Sequence, residues 1–391
     1  FFCYNKISLY NLYSNMQFIS VKRIRINRCL VCNSKRLSKL FEREDVTLTE
    51  KGIIRISNSD SICRNCGYIG SFNKPTQNSL NTYYKNKIKY KVLDPDYNLK
   101  NQINFFKRNF SKKNSVLEIG SGTNFLKKEM KKEGYFYSNS DISSSKNNSN
   151  HVFDIVLLNH VLEHISDPFK FIKSINKKLR KDGKIVVEVP DFNKLISRKS
   201  NTYFLSSEHL HHFTKNSLIN IFTKCQYSFL YEEKKLLSRK NSLRMIFQKK
   251  NKNIIKLKKF VYKEKFATKI KSYFNSNLIK KNLFISNIEK ITQNQKVYFW
   301  GCNIIFFKII SSLNLTKKHS FFYLFDSNKN LKKNYHIKKN NIIYLEQNFI
   351  QKIKENATFV ICSSTWSKNI EKIIKKNKKD VKHNILVPNF L

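Results

Sequence analysis

Short apolar runs closed by glycine, asparagine or aspartate alternate with stretches of helical spacing through the middle of this 391-residue chain. Val116–Ile119 reads as a buried strand running into Gly120-Ser121-Gly122, and residues 125–134 follow with helical spacing. Residues 135–141 form a second strand ending at Asp141. Residues 153–158 are a third apolar strand, 168–180 have helical periodicity, Lys181-Asp182-Gly183 is a turn, and 184–189 is a β-branched strand. Upstream, the run from Glu44 to Asp60 predicts the strands of a small β-rich module. The predicted class is α/β, and the length suits two or three domains.

The turn after the first strand carries chemistry. Glycines just past a strand let the backbone turn tightly and approach a ligand with no Cβ in the way. The helix that follows presents its N-terminus to that ligand. About twenty residues on, Asp141 at the tip of the second strand can accept hydrogen bonds from two ribose hydroxyls. A dinucleotide fingerprint would need a further glycine where Phe125 stands. Glu118 before the first glycine repels a pyrophosphate but suits a cationic ligand. Asn124 stands where a third glycine would, and Asn tolerates left-handed backbone. The turn and its spacing resemble the S-adenosylmethionine motif of class I methyltransferases.

Two CxxC pairs, Cys29/Cys32 and Cys63/Cys66, stand ahead of this core, with Asn33 and Gly67 positioned to help knuckle-like turns. Two such pairs bring four thiolates to one tetrahedral ion and read as a structural Zn2+ site with no open position. Free thiols or a redox pair are the competing reading. Cys3, Cys225, Cys302 and Cys362 have no partner spacing and read as free thiols.

The formal charge is +48, with 75 Lys and Arg against 27 Asp and Glu. Lysines are scattered through every region, and Gly and Pro number only 8 and 5, which is the signature of an AT-rich genome more than of a nucleic-acid stripe. No uncharged apolar run reaches the ~18 residues of a membrane helix, and the N-terminus lacks a continuous apolar signal core. A cytoplasmic, monomeric protein with Met16 as its start is the expectation.

Residues 153–191 read FDIVLLNHVLEHISDPFKFIKSINKKLRKDGKIVVEVPD, which resembles the VLEH-containing segment of small-molecule methyltransferases. Asn159-His160 replaces the Asn/Asp-Pro-Pro-aromatic motif of nucleobase enzymes, and the cofactor set is read as Glu118, Gly120, Gly122, Asp141, Asn159 and His160. The whole order resembles the sugar C-methyltransferases, which act on nucleotide-linked keto-deoxysugars. CLVC…CRNCGYI with NTYYKNK resembles that family's zinc domain and following tyrosines, SSEHLHHFTKNSLINIF its EH segment, and KVYFWGCN, FYLFDSN and TFVICSSTWSKNIEKII its C-terminal region.

The resemblance implies an N-terminal extension over 1–24, a four-cysteine zinc domain over 25–75, a helical linker over 76–110, a Rossmann-like core over 111–250 and a Rossmann-like α/β domain over 251–391. It implies a nucleotide-sugar partner and a catalytic set of His209, Glu208, Tyr84 and His164. His209 serves as base or proton shuttle with Glu208 orienting it, and Tyr84 or Tyr83 bonds the keto oxygen. An EH pair that merely caps the helix near Thr214 is the plainer alternative, and His211 and His212 stay open as the working histidine. Only eleven residues separate Asp141 from Phe153, too few for the usual helix and third strand, so an edge strand and the adenine contact are unaccounted for. O- or N-methylation of another small molecule, RNA modification, and a degenerate non-catalytic homologue are the other readings.

Overall fold

A computed structural model describes residues 18–19, 21–49, 52–86, 96–120, 124–140, 142, 151–197, 206–234, 241–250, 261–262, 264–292, 295–313, 322–327, 331, 342–353, 355–363, 366–377 and 383–388. They form three sheets.

The first sheet holds β1 Phe18–Ile19, β2 Arg23–Arg25, β3 Leu37–Thr49, β4 Gly52–Cys63 and β5 Ile69–Pro75, with the distant strand His211–His212 as its sixth member. Strands β3 and β4 make one long antiparallel hairpin from Leu37↔Cys63 to Thr49↔Gly52. Each cysteine pair sits on a turn with one left-handed residue, Asn33 at φ 60° and Gly67 at φ 72°. Those residues close the turns by donating their amides to the Cys29 and Cys63 carbonyls, each at 2.9 Å. Helices α1 Gln77–Asn86 and α2 Asp96–Asn109 lead into the core.

The core contains β6 Ser115–Ile119, α3 Phe125–Lys132, β7 Phe136–Ser140, β8 Phe153–Asn159, α4 Pro168–Ile175, β9 Leu179–Pro190, α5 Phe192–Ser197, β10 His211–His212, α6 Lys215–Lys224, β11 Tyr227–Glu233 and β12 Ser242–Lys249. Its sheet order is β11-β12-β9-β8-β6-β7. Strands β7, β6, β8 and β9 run parallel, and β12 runs antiparallel between β9 and β11. Parallel strands buried on both faces read as continuous apolar runs, which is what 153–158 and 184–189 are. Among the described residues no strand flanks β7 on its outer side.

One sequence expectation is corrected here. The helix predicted over 168–180 ends at Ile175, a single 3-10 turn follows, and β9 begins at Leu179. Lys181-Asp182-Gly183 is a bulge within β9 rather than a turn before it, because Phe153 pairs with Leu179 while Ile155 pairs with Lys184. The lysines of 177–181 supplied helical-looking spacing, but Leu179 has a β8 partner and Asp167 caps a helix of only eight residues.

The third sheet is all parallel, in the order β15-β14-β13-β16-β17, built from β13 Lys296–Trp300, β14 Phe322–Phe325, β15 Ile342–Leu345, β16 Ala357–Ile361 and β17 His383–Leu386. Helices α7 Glu264–Thr292, α8 Ile304–Ile310 and α9 Ser367–Asn377 accompany it. No described helix is long and apolar enough to cross a membrane.

The β3–β4 hairpin is the hub. Its knuckle end shares an apolar cluster with β8, β9 and α6, in which Cys63 and Tyr68 join Val156, Val187 and Phe222. Its far end puts Val46 and Ile53 among Phe306 and Ile309 of α8 and Leu324 of β14. Midway, Phe41 stacks on Phe274 of α7 at 3.4 Å between ring centroids.

Candidate functional site

Strands β6 and β8 end side by side, and the loops that leave them carry the candidate residues. Gly120 takes φ +77°, a backbone that L side chains avoid. A Cβ there would lie 2.7 Å from Val161 Cγ2 and 3.2 Å from Ile142. The position is closed to any other residue by conformation and by space. Glu118, two residues earlier on β6, is 4% exposed. Burial pushes its carboxyl up to about 7, against the Tyr137 hydroxyl that donates to it at 3.0 Å. Asn124 begins α3 without capping it and accepts from Asn139 Nδ2 at 2.6 Å. Gly122 and Asp141, both assigned to the cofactor from sequence, lie outside the described residues.

Asn159 closes β8, and its Oδ1 is buried with no hydrogen-bond partner. A buried amide oxygen in that state costs roughly 1–3 kcal/mol unless a ligand completes it. His160 follows in left-handed backbone at φ 53°. Its ring spans two buried carboxylates, with Nδ1 3.0 Å from Glu163 and Nε2 3.4 Å from Glu188. Arg244 holds Glu188 from the other side at 2.6 Å. The carboxylates on this side suit the positive sulfonium and ammonium of S-adenosylmethionine. The orphaned Asn159 oxygen, the carboxyl of Glu118 and the bare backbone of Gly120 fit that cofactor.

The EH segment reaches the same place. Leu210 donates its amide to the Glu163 carbonyl at 2.7 Å. Tyr83 donates to Glu208 Oε1 at 2.5 Å, and the Tyr84 hydroxyl lies 2.9 Å from His164 Nδ1. That nitrogen is also 3.1 Å from the Glu208 carbonyl. A carbonyl only accepts, so Nδ1 carries the proton and Nε2 keeps the lone pair. The His164 and His209 rings meet edge to face at 4.7 Å. Burial first, then neighbouring His164, push His209 well below the usual histidine range, while Glu163 pulls the other way. The shift keeps the ring neutral, the form from which a base acts, while lowering its basicity.

His211 and His212 are committed elsewhere. The Tyr68 hydroxyl and the Ile165 carbonyl occupy both His211 nitrogens. His212 Nε2 lies 3.2 Å from Asp60. The capping alternative for the EH pair also falls away, since Thr214 and Ser217 form the capping box of α6 by themselves.

The β-rich module grips this loop. β10 pairs with β5 through His211↔Gly70 and His212↔Ile69. Arg43, ion-paired to fully buried Asp60 at 2.6 Å, also donates to the carbonyls of Ser206 and His209. Asn58 donates to the Ser207 carbonyl at 2.6 Å, and Asp45 accepts the Ser207 amide. Buried Lys74 donates to the Ser166 carbonyl, and burial pushes its ammonium down to about 8. None of these residues was singled out from sequence, because they lie some 160 residues from the loop they hold. Glu163 was visible inside VLEH, but nothing in its spacing tied it to His209.

The four knuckle sulfurs form one group within 4.8 Å, with Cys29–Cys66 and Cys32–Cys63 each at 3.5 Å. That is far too long for a disulfide and near the roughly 3.8 Å separation of thiolates around tetrahedral Zn2+. Hydrogen bonding with Cys63 holds the Cys29 thiol protonated, whereas donors from Cys29 and then Cys66 favour the Cys63 thiolate. A dication would let all four ionise. Cys225, Cys302 and Cys362 are buried and form no disulfide among the described residues.

A family model described as a methyltransferase domain matches residues 94–232. Among solved structures, a 1,6-didemethyltoxoflavin-N1-methyltransferase from Burkholderia thailandensis is 13% identical, with 42% of this chain and 94% of that one covered and a TM-score of 0.29. An S-adenosylmethionine-dependent methyltransferase from Methanosarcina mazei is 17% identical over 37% and 96%, with a TM-score of 0.30. A complex of the Haloferax volcanii Trm112 methyltransferase activator with a putative methyltransferase gives 8% identity over 39% and 90%, with a TM-score of 0.33. No curated protein matches the chain. Residues 94–232 thus match a methyltransferase domain, and they lie on the Rossmann-like α/β sheet described above.

Proposed function

We propose that this methyltransferase methylates carbon in a nucleotide-linked keto-deoxysugar. The reading is carried by one observation: Glu208 and His209, on a loop held by the cysteine module, meet the Tyr83 and Tyr84 hydroxyls and His164, three residues after the Val161 that packs on Gly120. Carbon methylation needs a neutral base near the acceptor, and the half-buried ring of His209, set against His164, stands where such a base would act. Nucleobase chemistry would not require that base, and the chain has Asn159-His160 where its motif would stand.

Glu118, Gly120 and Asn159 bind S-adenosylmethionine, joined by Gly122, Asp141 and His160. The bound cofactor supplies an electrophilic methyl group. His209 takes the proton α to the ketone. Tyr84 or Tyr83 donates to the developing enolate oxygen, since both hydroxyls hydrogen-bond Glu208 beside His164. Glu208 anchors the loop through Tyr83 and offers its carbonyl to His164, which fixes the tautomer facing His209. The knuckle cysteines hold Zn2+ as a structural ion, and its role is to keep the β3–β4 hairpin in place under the loop.

The experiment is His209→Ala. Turnover falls by a factor of about 10²–10⁴, the usual contribution of a general base, while S-adenosylhomocysteine still binds in calorimetry. Turnover that survives unchanged removes His209 from the mechanism.

A further inference from the structure

Glu163 offers a carboxylate oxygen, and His164 and His209 one ring nitrogen each, all within 4.8 Å of one another. Glu163 is 0% exposed. His160 occupies its Oε1 at 3.0 Å, while Oε2 has no hydrogen-bond partner. A buried carboxylate oxygen without a donor is costly, and native structures keep one where an ion or ligand completes it. His164 commits Nδ1 to the Glu208 carbonyl, which leaves Nε2 as its ligand atom. The His209 backbone is fixed on both sides, its amide on the Ser206 carbonyl and its carbonyl on Arg43, each at 2.9 Å.

We propose that Glu163, His164 and His209 bind one first-row transition dication, at a site separate from the four cysteines. One carboxylate oxygen and two imidazole nitrogens are donors that favour Zn2+, Co2+ or Ni2+ over Mg2+ and Ca2+. Bonds of about 2.1 Å set tetrahedral donors about 3.4 Å apart, so a bound ion would draw together three atoms that now lie within 4.8 Å of one another. Three protein ligands leave a coordination position open, unlike the closed set of four cysteines. A cation held there occupies the His209 lone pair. Cation occupancy and proton abstraction by His209 therefore exclude each other, so added dication inhibits turnover and a chelator restores it. This inference shares residues with the function proposed above but is read without methyl transfer.

The test uses the full chain with zinc on its cysteines, titrated with cobalt(II) chloride near neutral pH and followed by visible absorption and metal analysis. The expected result is one further cobalt per chain, with weak d–d bands and no intense thiolate-to-cobalt charge transfer. Glu163→Gln, His164→Ala and His209→Ala each weaken that binding more than about tenfold. Retained zinc and unchanged circular dichroism show which variants are folded, and any one folded variant decides the matter. No cobalt beyond the cysteines, or affinity unchanged in the folded variants, overturns the site. Cobalt binding without methyl transfer would retire the acceptor assignment and leave the metal site standing, and the converse would do the reverse.

Discussion

Replacing Glu118 by Gln converts a buried ionisable group into a neutral isostere at the end of β6. Burial raises the carboxyl from 4.5 to about 7. Below about pH 4.5 the group is protonated both folded and unfolded, and wild type and variant are equally stable. As pH rises from there, the unfolded chain releases the proton first, so wild-type stability falls until the folded group ionises near 7. At about pH 8 the accumulated loss is the shift multiplied by 1.36 kcal/mol per unit, or about 3 kcal/mol. Glu118→Gln avoids that loss, and its amide oxygen still accepts from Tyr137. Urea unfolding of the ligand-free protein across pH measures the difference directly. The same ionisation governs the cofactor, since a cationic ligand prefers the carboxylate. Wild-type affinity for S-adenosylmethionine therefore rises as pH passes about 7, and the variant's does not. Equal stability of the two proteins at about pH 8, together with a flat wild-type affinity profile, would refute the reasoning.

Gly120→Ala places a Cβ 2.7 Å from Val161 at φ +77°, and should cost about 1–3 kcal/mol and abolish cofactor binding, read by thermal melting and calorimetry. Arg43→Ala leaves Asp60 charged and fully buried, with an expected loss of about 3–5 kcal/mol and of turnover. Because Arg43 also holds the His209 loop, Arg43→Lys should recover stability more than turnover. Cys63→Ser should lower zinc content by one ion per chain and destabilise β4, checked by metal analysis and circular dichroism.

The core was legible because its signals are local. VLEIGSG and the apolar runs at 153–158 and 184–189 each describe one strand and its exit, and the sheet places them side by side. The bulge at 181–183 was hidden, since a lysine-rich stretch continues helical spacing while β8 pairing claims Leu179. The site was legible by residue type but not by assembly. His209 and His164 could be proposed from EH and VLEH, whereas the choice of His209 over His211 and His212 depends on Tyr68, Ile165 and Asp60. Those contacts, and the grip of Arg43 and Asn58 on the loop, join residues 46 to 166 positions apart and have no period in the sequence. Glu163 was missed because its carboxylate acts through burial, which the chain does not spell out.

Incubation with methyl-labelled S-adenosylmethionine and nucleotide-linked keto-deoxysugars in heavy water tests the central claim most directly. The account predicts a labelled methyl on carbon, with solvent deuterium entering the α position before transfer and neither event occurring in His209→Ala. A methyl found on oxygen or nitrogen, or no transfer by a protein that binds the cofactor, would contradict it.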